Sequence, residues 1–245
     1  MLFLIRKKIN PIVLLGLIVF VVSFSDGNAS INPKSFEKKL SGEIFYKFPD
    51  VIGSMFLYEE WITGDVILEC GAKVCNQKLK YSGYLNELFW LREKDNLTVK
   101  LDKGMIECFI LKISDQSTRS FRKFHSLESG SGEDVFIEEL YSGTGFSLFA
   151  KRDIVERGTQ TEHVNQRVYQ RTKVEPKTIY IIINQKSGKS CEFYRITRRN
   201  IYRALGYEKT IIREIIRRHN ISLAFGEDEL KRLIELMDSS MLNGQ

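Results

Sequence analysis

Between residues 61 and 196 apolar side chains recur with a period of two, or in short runs cut by turn residues. After Thr197 the period lengthens to that of a helix. A strand turns its side chains to alternate faces, whereas a helix repeats every 3.6 residues. This change of rhythm requires a sheet first and helices last. Leu97, Val99 and Leu101 alternate with Asn96, Thr98 and Lys100, the cleanest such segment. Residues 105–113 are apolar on both sides, as in a strand covered on both faces. Residues 135–140 and 146–150 flank Gly143-Thr144-Gly145 and predict a hairpin, and residues 178–183 and 191–196 predict two more strands joined through a turn at Gly188. The expected fold is mainly β, α+β overall. It is an antiparallel meander, sandwich or open barrel with two or three short C-terminal helices.

In the tail, Ile201, Ala204 and Leu205 are at helical spacing and Gly206 is a left-handed terminator. Ile211, Ile212, Ile215 and Ile216 form an apolar stripe, with Arg213, Arg217 and Arg218 facing away. Leu230, Leu233, Ile234 and Met237 share one face of a last helix opened by acids, where its dipole favours them. Residues 152–176 are polar, with two readings, a long exposed hairpin or a mobile loop. Residues 30–60 are a lead-in, with a short helix expected over 34–40 and a turn at Pro49. The expected organisation is therefore a β domain over 30–196, carrying the polar insertion at 152–176, and a helical appendage over 197–245.

The N-terminus gives an address. Arg6, Lys7 and Lys8 precede a 13-residue apolar run, 12–24, and a small polar stretch containing Gly27 and Ala29. That order predicts a secretory signal peptide over 1–29, cleaved after Ala29. The run falls short of the roughly 20 residues of a membrane-spanning helix. An uncleaved anchor that also recruits residues 2–5 is the rival reading. Export to the periplasm or cell surface follows from either.

Beyond residue 29, 216 residues remain, enough for a sizeable core. Charge is uneven along them. Residues 30–150 carry 15 basic and 18 acidic side chains, and residues 151–245 carry 19 basic and 12 acidic. Arg198, Arg199, Arg203, Arg213, Arg217 and Arg218 are the candidate binding residues of this basic part. A solvated helical face is the ordinary explanation for such a run. An anionic membrane surface or polyanionic glycan is the functional one. Export excludes nucleic acid as an expected partner.

Cys70, Cys75, Cys108 and Cys191 admit three complete pairings. Cys70 and Cys75 flank Gly71-Ala72-Lys73, so a hairpin would bring them near and a disulfide needs only the right register. Four reduced, packed thiols are the alternative.

Catalytic patterns are missing. No G-x-S-x-G, H-E-x-x-H or glycine-rich phosphate loop occurs, and His125, His163 and His219 stand apart. No cofactor or metal is expected. Glu59-Glu60 and Glu138-Glu139 are adjacent pairs, whose members point to opposite faces of a strand. A glycan hydrolase would need carboxylates such as Glu60 and Glu139 to converge across strands. Ten aromatic residues between 45 and 90 would serve either as core or as platforms of a sugar-binding module.

Several short segments carry a likeness. They are Glu59-Glu60-Trp61-Ile62-Thr63-Gly64-Asp65-Val66, Gly71, Leu79-Lys80-Tyr81 and Glu87-Leu88-Phe89-Trp90, followed by a strand hairpin, a basic helix, the stretch 213–220 and an acid-opened final helix. Together they resemble a family of small exported proteins of Bacteroidetes-type bacteria that has no assigned activity. The resemblance implies export and a structural or interaction role, and it brings no catalytic residue with it. The function expected from the sequence is thus a non-enzymatic envelope protein. A glycan-acting or sugar-binding protein and a peripheral binder of anionic membranes are the alternatives.

The export reading has a direct consequence. Intact-mass analysis of protein recovered from the producing cells' envelope is expected to give a chain beginning at Ser30. A chain retaining Met1 in the cytosol would contradict it.

Overall fold

A computed structural model describes residues 40–125, 134–164, 167–206, 209–222 and 226–242. The expected signal peptide, and the helix expected over 34–40 apart from Leu40, lie outside the described residues. Among the described residues the strands are β1 (Gly42–Ile44), β2 (Val51–Ile52), β3 (Ile62–Leu68), β4 (Lys73–Ser82), β5 (Glu87–Arg92), β6 (Leu97–Leu101), β7 (Ile106–Ser114), β8 (Ser117–His125), β9 (Asp134–Ser142), β10 (Phe146–Val164), β11 (Arg167–Asn184) and β12 (Lys189–Phe193). Three helices close the chain: α1 (Arg198–Leu205), α2 (Lys209–Arg218) and α3 (Glu227–Leu242). The strands form one open sheet in the order β1-β6-β5-β4-β3-β7-β8-β9-β10-β11-β12. Every pairing is antiparallel except that of β2, which lies parallel to β11 through Val51–Thr172 and Ile52–Lys173. The fold is the expected antiparallel meander, open rather than closed, with its short C-terminal helices.

Connection lengths make the sheet curl. β1 and β11 are nine strand steps apart, about 43 Å on a flat sheet. Yet only the stretch from Ile44 to Val51 links β1 to β2 on β11, which is at most about 25 Å when extended. Likewise β6 ends at Leu101 and β7 begins at Ile106, although β5, β4 and β3 stand between them in the sheet. The linking residues 45–61 run as a strap past one end of the sheet. There Leu57 N–H donates to Tyr81 O at 3.0 Å, and Ser82 Oγ donates to Met55 O at 2.8 Å. The β4–β5 turn meets β10, with Ile154 N–H donating to Gly83 O at 3.2 Å. A Cβ at Gly83 would stand 2.2 Å from Arg152 O, so this approach requires glycine.

Two large apolar cores result, together with a small third cluster of Ile137, Phe149 and Ile181. One fills the curl with Val66, Leu79, Tyr81, Leu88, Val99, Phe109, Leu111, Phe121 and Phe136. Its centre is a stacked pair, Phe109 and Phe121, with centroids 4.7 Å apart, and Phe136 meets Phe109 edge-on at 5.1 Å. The other lies under the helices. Phe146, Leu148, Ala150, Tyr180, Ile182 and Phe193 from β10–β12 meet Ile201 and Leu205 of α1, Ile212, Ile215 and Ile216 of α2, and Leu230, Leu233, Ile234 and Met237 of α3. Each helix thus buries the stripe its sequence advertised. The exception is Ile211, which is exposed at the margin of the α2 stripe. Thr197 caps α1 by accepting the Asn200 N–H at 3.3 Å, and Gly206 ends it at φ 66°. No described helix is long and apolar enough to cross a membrane.

The polar segment 152–176 is a hairpin, not a loop. β10 and β11 pair from Phe146–Asn184 out to Val164–Arg167, with a bulge between Glu156 and Gly158. Beyond Thr159–Thr172, five further pairs have no third strand beside them among the described residues. This two-stranded ribbon extends about 17 Å from the body.

Candidate functional site

Three places concentrate polar groups: the interior between the cores, the exposed sides of α1 and α2, and the β10–β11 ribbon. Inside, Glu138 of β9 is buried at 3 % exposure. Arg119 of β8 grips it with two bonds, Nε to Oε1 at 2.6 Å and a terminal nitrogen to Oε2 at 2.7 Å. Arg152 of β10 donates its Nε to Oε2 at 2.6 Å and a terminal nitrogen to Glu227 Oε1, in the first turn of α3, at 2.7 Å. Arg119 also reaches Tyr58 Oη of the strap at 2.9 Å. β8, β9 and β10 are neighbours, so the cross-strand partners of Glu138, Phe121 on β8 and Ala150 on β10, place these side chains within reach. Burial alone would depress the Arg119 and Arg152 values and lift that of Glu227. Mutual pairing outweighs burial, so both guanidiniums titrate higher than usual and the Glu227 carboxyl lower.

Two more buried carboxylates are equally saturated. Asp238 of α3 accepts the N–H groups of Thr144 at 3.1 Å, Gly145 at 2.6 Å and Phe146 at 2.9 Å, together with the Tyr141 hydroxyl at 3.0 Å. It thereby clasps the β9–β10 turn. Burial opposes its charge, but these donors hold its carboxyl below the usual range, and burial with the Asp238 bond pushes Tyr141 up to about 12. On the opposite face of the sheet Asp65 of β3 accepts from Lys112 Nζ at 2.8 Å and Asn76 N–H at 2.9 Å, and pairs with Lys73 at 2.9 Å. Burial would raise its carboxyl, yet these partners lower it to about 2.

The hydrolase pairing finds no such focus. Glu139 pairs with Arg122 at 2.8 Å, and Glu60 is exposed in the strap before β3. The aromatic residues divide between roles. Tyr81 is core, and Trp90 packs against the same cluster. Phe45, Phe48 and Phe56 of the strap gather on buried Phe89, with centroids 4.9 to 6.3 Å apart and tilted or edge-on. The rings pack on one another rather than lying flat for a sugar. Beside them is an open depression of about 510 Å³ lined by Phe45, Phe48, Pro49, Leu85, Glu87 and Lys100. In it burial lifts the Glu87 carboxyl against the opposing pull of Lys103 and Lys100.

Register keeps the two candidate disulfide cysteines apart in the ladder. Cys70 is in the β3–β4 turn, whereas Cys75 stands at the bulge opposite Asp65, between the pairs Gly64–Gln77 and Val66–Val74. Both are exposed and no bond joins them. His125 pairs with Asp134 at 2.9 Å, and no group of three metal-ligating side chains gathers among the described residues.

The six candidate arginines are all exposed, Arg198, Arg199 and Arg203 on α1 and Arg213, Arg217 and Arg218 on α2. Arg213 lies over the Tyr202 ring at 5.9 Å, which joins the outer sides of the two helices. The interior network and the Asp238 clasp were not foreseen from sequence. Asp238 did leave a signal, an acid four residues after Ile234 on the buried stripe.

Asp65 and Asp238 set a pH dependence. Their folded-state values lie below the unfolded ones, so their stabilisation is complete above the unfolded carboxylate range. It is lost as pH falls from about 4 through the folded values. Thermal melting is expected to be flat near neutrality and to decline below about pH 4, less steeply in Asp65→Asn; identical slopes in both proteins would contradict the assignment. No protein-family model matches the chain, and no solved structure matches it.

Proposed function

We propose that this chain is an exported, non-enzymatic interaction protein of the cell envelope. The observation carrying the proposal is the β10–β11 ribbon. Beyond Gln160–Arg171, whose arginine pairs with Asp50, the described side chains are exposed, and a two-stranded hairpin alone is marginal in water. Val168 and Tyr169 are exposed on it at 59 % and 45 %. Both edges present backbone donors and acceptors to which a partner's strand can be added. The interior carboxylates support a binding role as well, because Glu138, Asp238 and Asp65 spend their oxygens on fixed structural donors. The export signal and the likeness to exported proteins of Bacteroidetes-type bacteria point the same way.

Replacing residues 161–170 by Asn-Gly shortens the ribbon while keeping the Thr172 and Lys173 pairs with β2. The shortened protein is expected to melt like the parent. In affinity capture from envelope extract it should lose a protein that the parent retains in stoichiometric amount. Retention of the same proteins by both forms, or of none by the parent, would contradict the proposal.

A further inference from the structure

The arginines of this protein fall into two populations. Each sheet arginine whose side chain is described pairs with a carboxylate: Arg92 with Asp95, Arg119 and Arg152 with Glu138, Arg122 with Glu139, Arg157 with Glu175 and Arg171 with Asp50. On α1 and α2 the pattern reverses. Among the described residues only Arg218 has an acidic partner, Glu214 in the same helix, while Arg198, Arg199, Arg203, Arg213 and Arg217 have none. Residues 186–219 hold ten basic and three acidic side chains. The imbalance is therefore local, and it is presented on one continuous feature, since Arg213 over Tyr202 ties the outer sides of α1 and α2 together.

Two further features distinguish this face from a merely solvated one. Its cations are mostly arginines, whose planar fork matches phosphate oxygens in pairs, whereas a lysine offers a point charge. One large apolar side chain is also exposed there. Ile211, at the margin of α2, is 43 % exposed. Cations bordered by an exposed aliphatic group fit a surface that rests on lipid headgroups and dips an apolar group among them.

We infer that the outer face of α1 and α2 docks on a phosphate-bearing lipid surface. The arginines bind headgroup phosphates while Ile211 enters the interface at its margin. Charge complementarity selects the partner. The face attracts anionic lipid across a Debye length and then engages phosphates directly. The inference stands on the helical face alone, so the ribbon-shortened protein should bind as the parent does.

The test is sedimentation of the full chain with vesicles of phosphatidylcholine alone or mixed with phosphatidylglycerol. The increment between the two reads the helical face, because an apolar leader would bind both. The account expects a large increment that collapses with added salt. It should fall about fivefold per arginine replaced, hence about a hundredfold in Arg198→Gln/Arg199→Gln/Arg203→Gln. Arg213→Gln/Arg217→Gln should fall in proportion, and Ile211→Ser should weaken binding severalfold without changing the salt slope. Circular dichroism and melting confirm that the variants fold. No increment, or one that the substitutions leave intact, would overturn the inference. So would displacement from vesicles by millimolar inorganic phosphate, which would indicate a discrete phosphate site, or retention by a soluble polyanion in preference to lipid.

Discussion

A carboxylate cannot remain charged inside a protein unless its oxygens are met by donors, because burial strips away water worth several kcal/mol per ion. Glu138 satisfies that demand with two guanidiniums, and the geometry of the answer organises the molecule. Arg119 comes from β8 and Arg152 from β10, so the ion pairs bind three neighbouring strands side by side. Arg119 extends to Tyr58 in the strap, and Arg152 extends to Glu227 at the head of α3. One buried charge therefore connects the strap, the sheet and the helices at the boundary between the two apolar cores. Removing any member leaves others uncompensated. Such networks are costly to break even where an apolar substitute of equal volume would have served.

The curl of the sheet and the clasp of Asp238 complete the frame. Short connections force β6 toward β7 and β1 toward β11, and side chains on the concave face meet there as stacked aromatic rings. The helices do not close the curl. They cover the β10–β12 end, and Asp238 fixes α3 to the β9–β10 turn through three backbone N–H groups. This division leaves the ribbon and the cationic side of α1 and α2 at the margins of the body. The interaction role proposed above rests on those margins, not on the interior charges.

Much of the architecture was legible because one-sided burial imprints a period. Leu97, Val99 and Leu101 alternate because one face of β6 meets the core, and α2 and α3 show their stripes for the same reason. The ribbon left no such imprint. Its described side chains are mostly exposed, so Thr159, Gln160 and Gln170 have no reason to alternate, and hairpin and loop read alike. Ile211 is at the edge of a stripe broader than the surface it covers, which only packing reveals. The Glu138 network joins residues 14 and 19 positions apart, and reaches another 75 positions beyond Arg152, so it depends on strand order that no local pattern encodes. The six arginines were legible as charges. That five of them have no acidic partner among the described residues became visible only against the paired arginines of the sheet.

The structural claim on which all this depends is that Glu138 holds the two cores together. Amide hydrogen exchange on Glu138→Gln, compared with the parent at neutral pH, tests it most directly. The account predicts a loss of about 3 kcal/mol or more. Protection should fall together in β8, β9, β10 and α3, because Arg119 and Arg152 lose one shared partner. Unchanged protection in α3, or a loss confined to β9, would show that the helices are fastened by apolar packing alone and would contradict the claim.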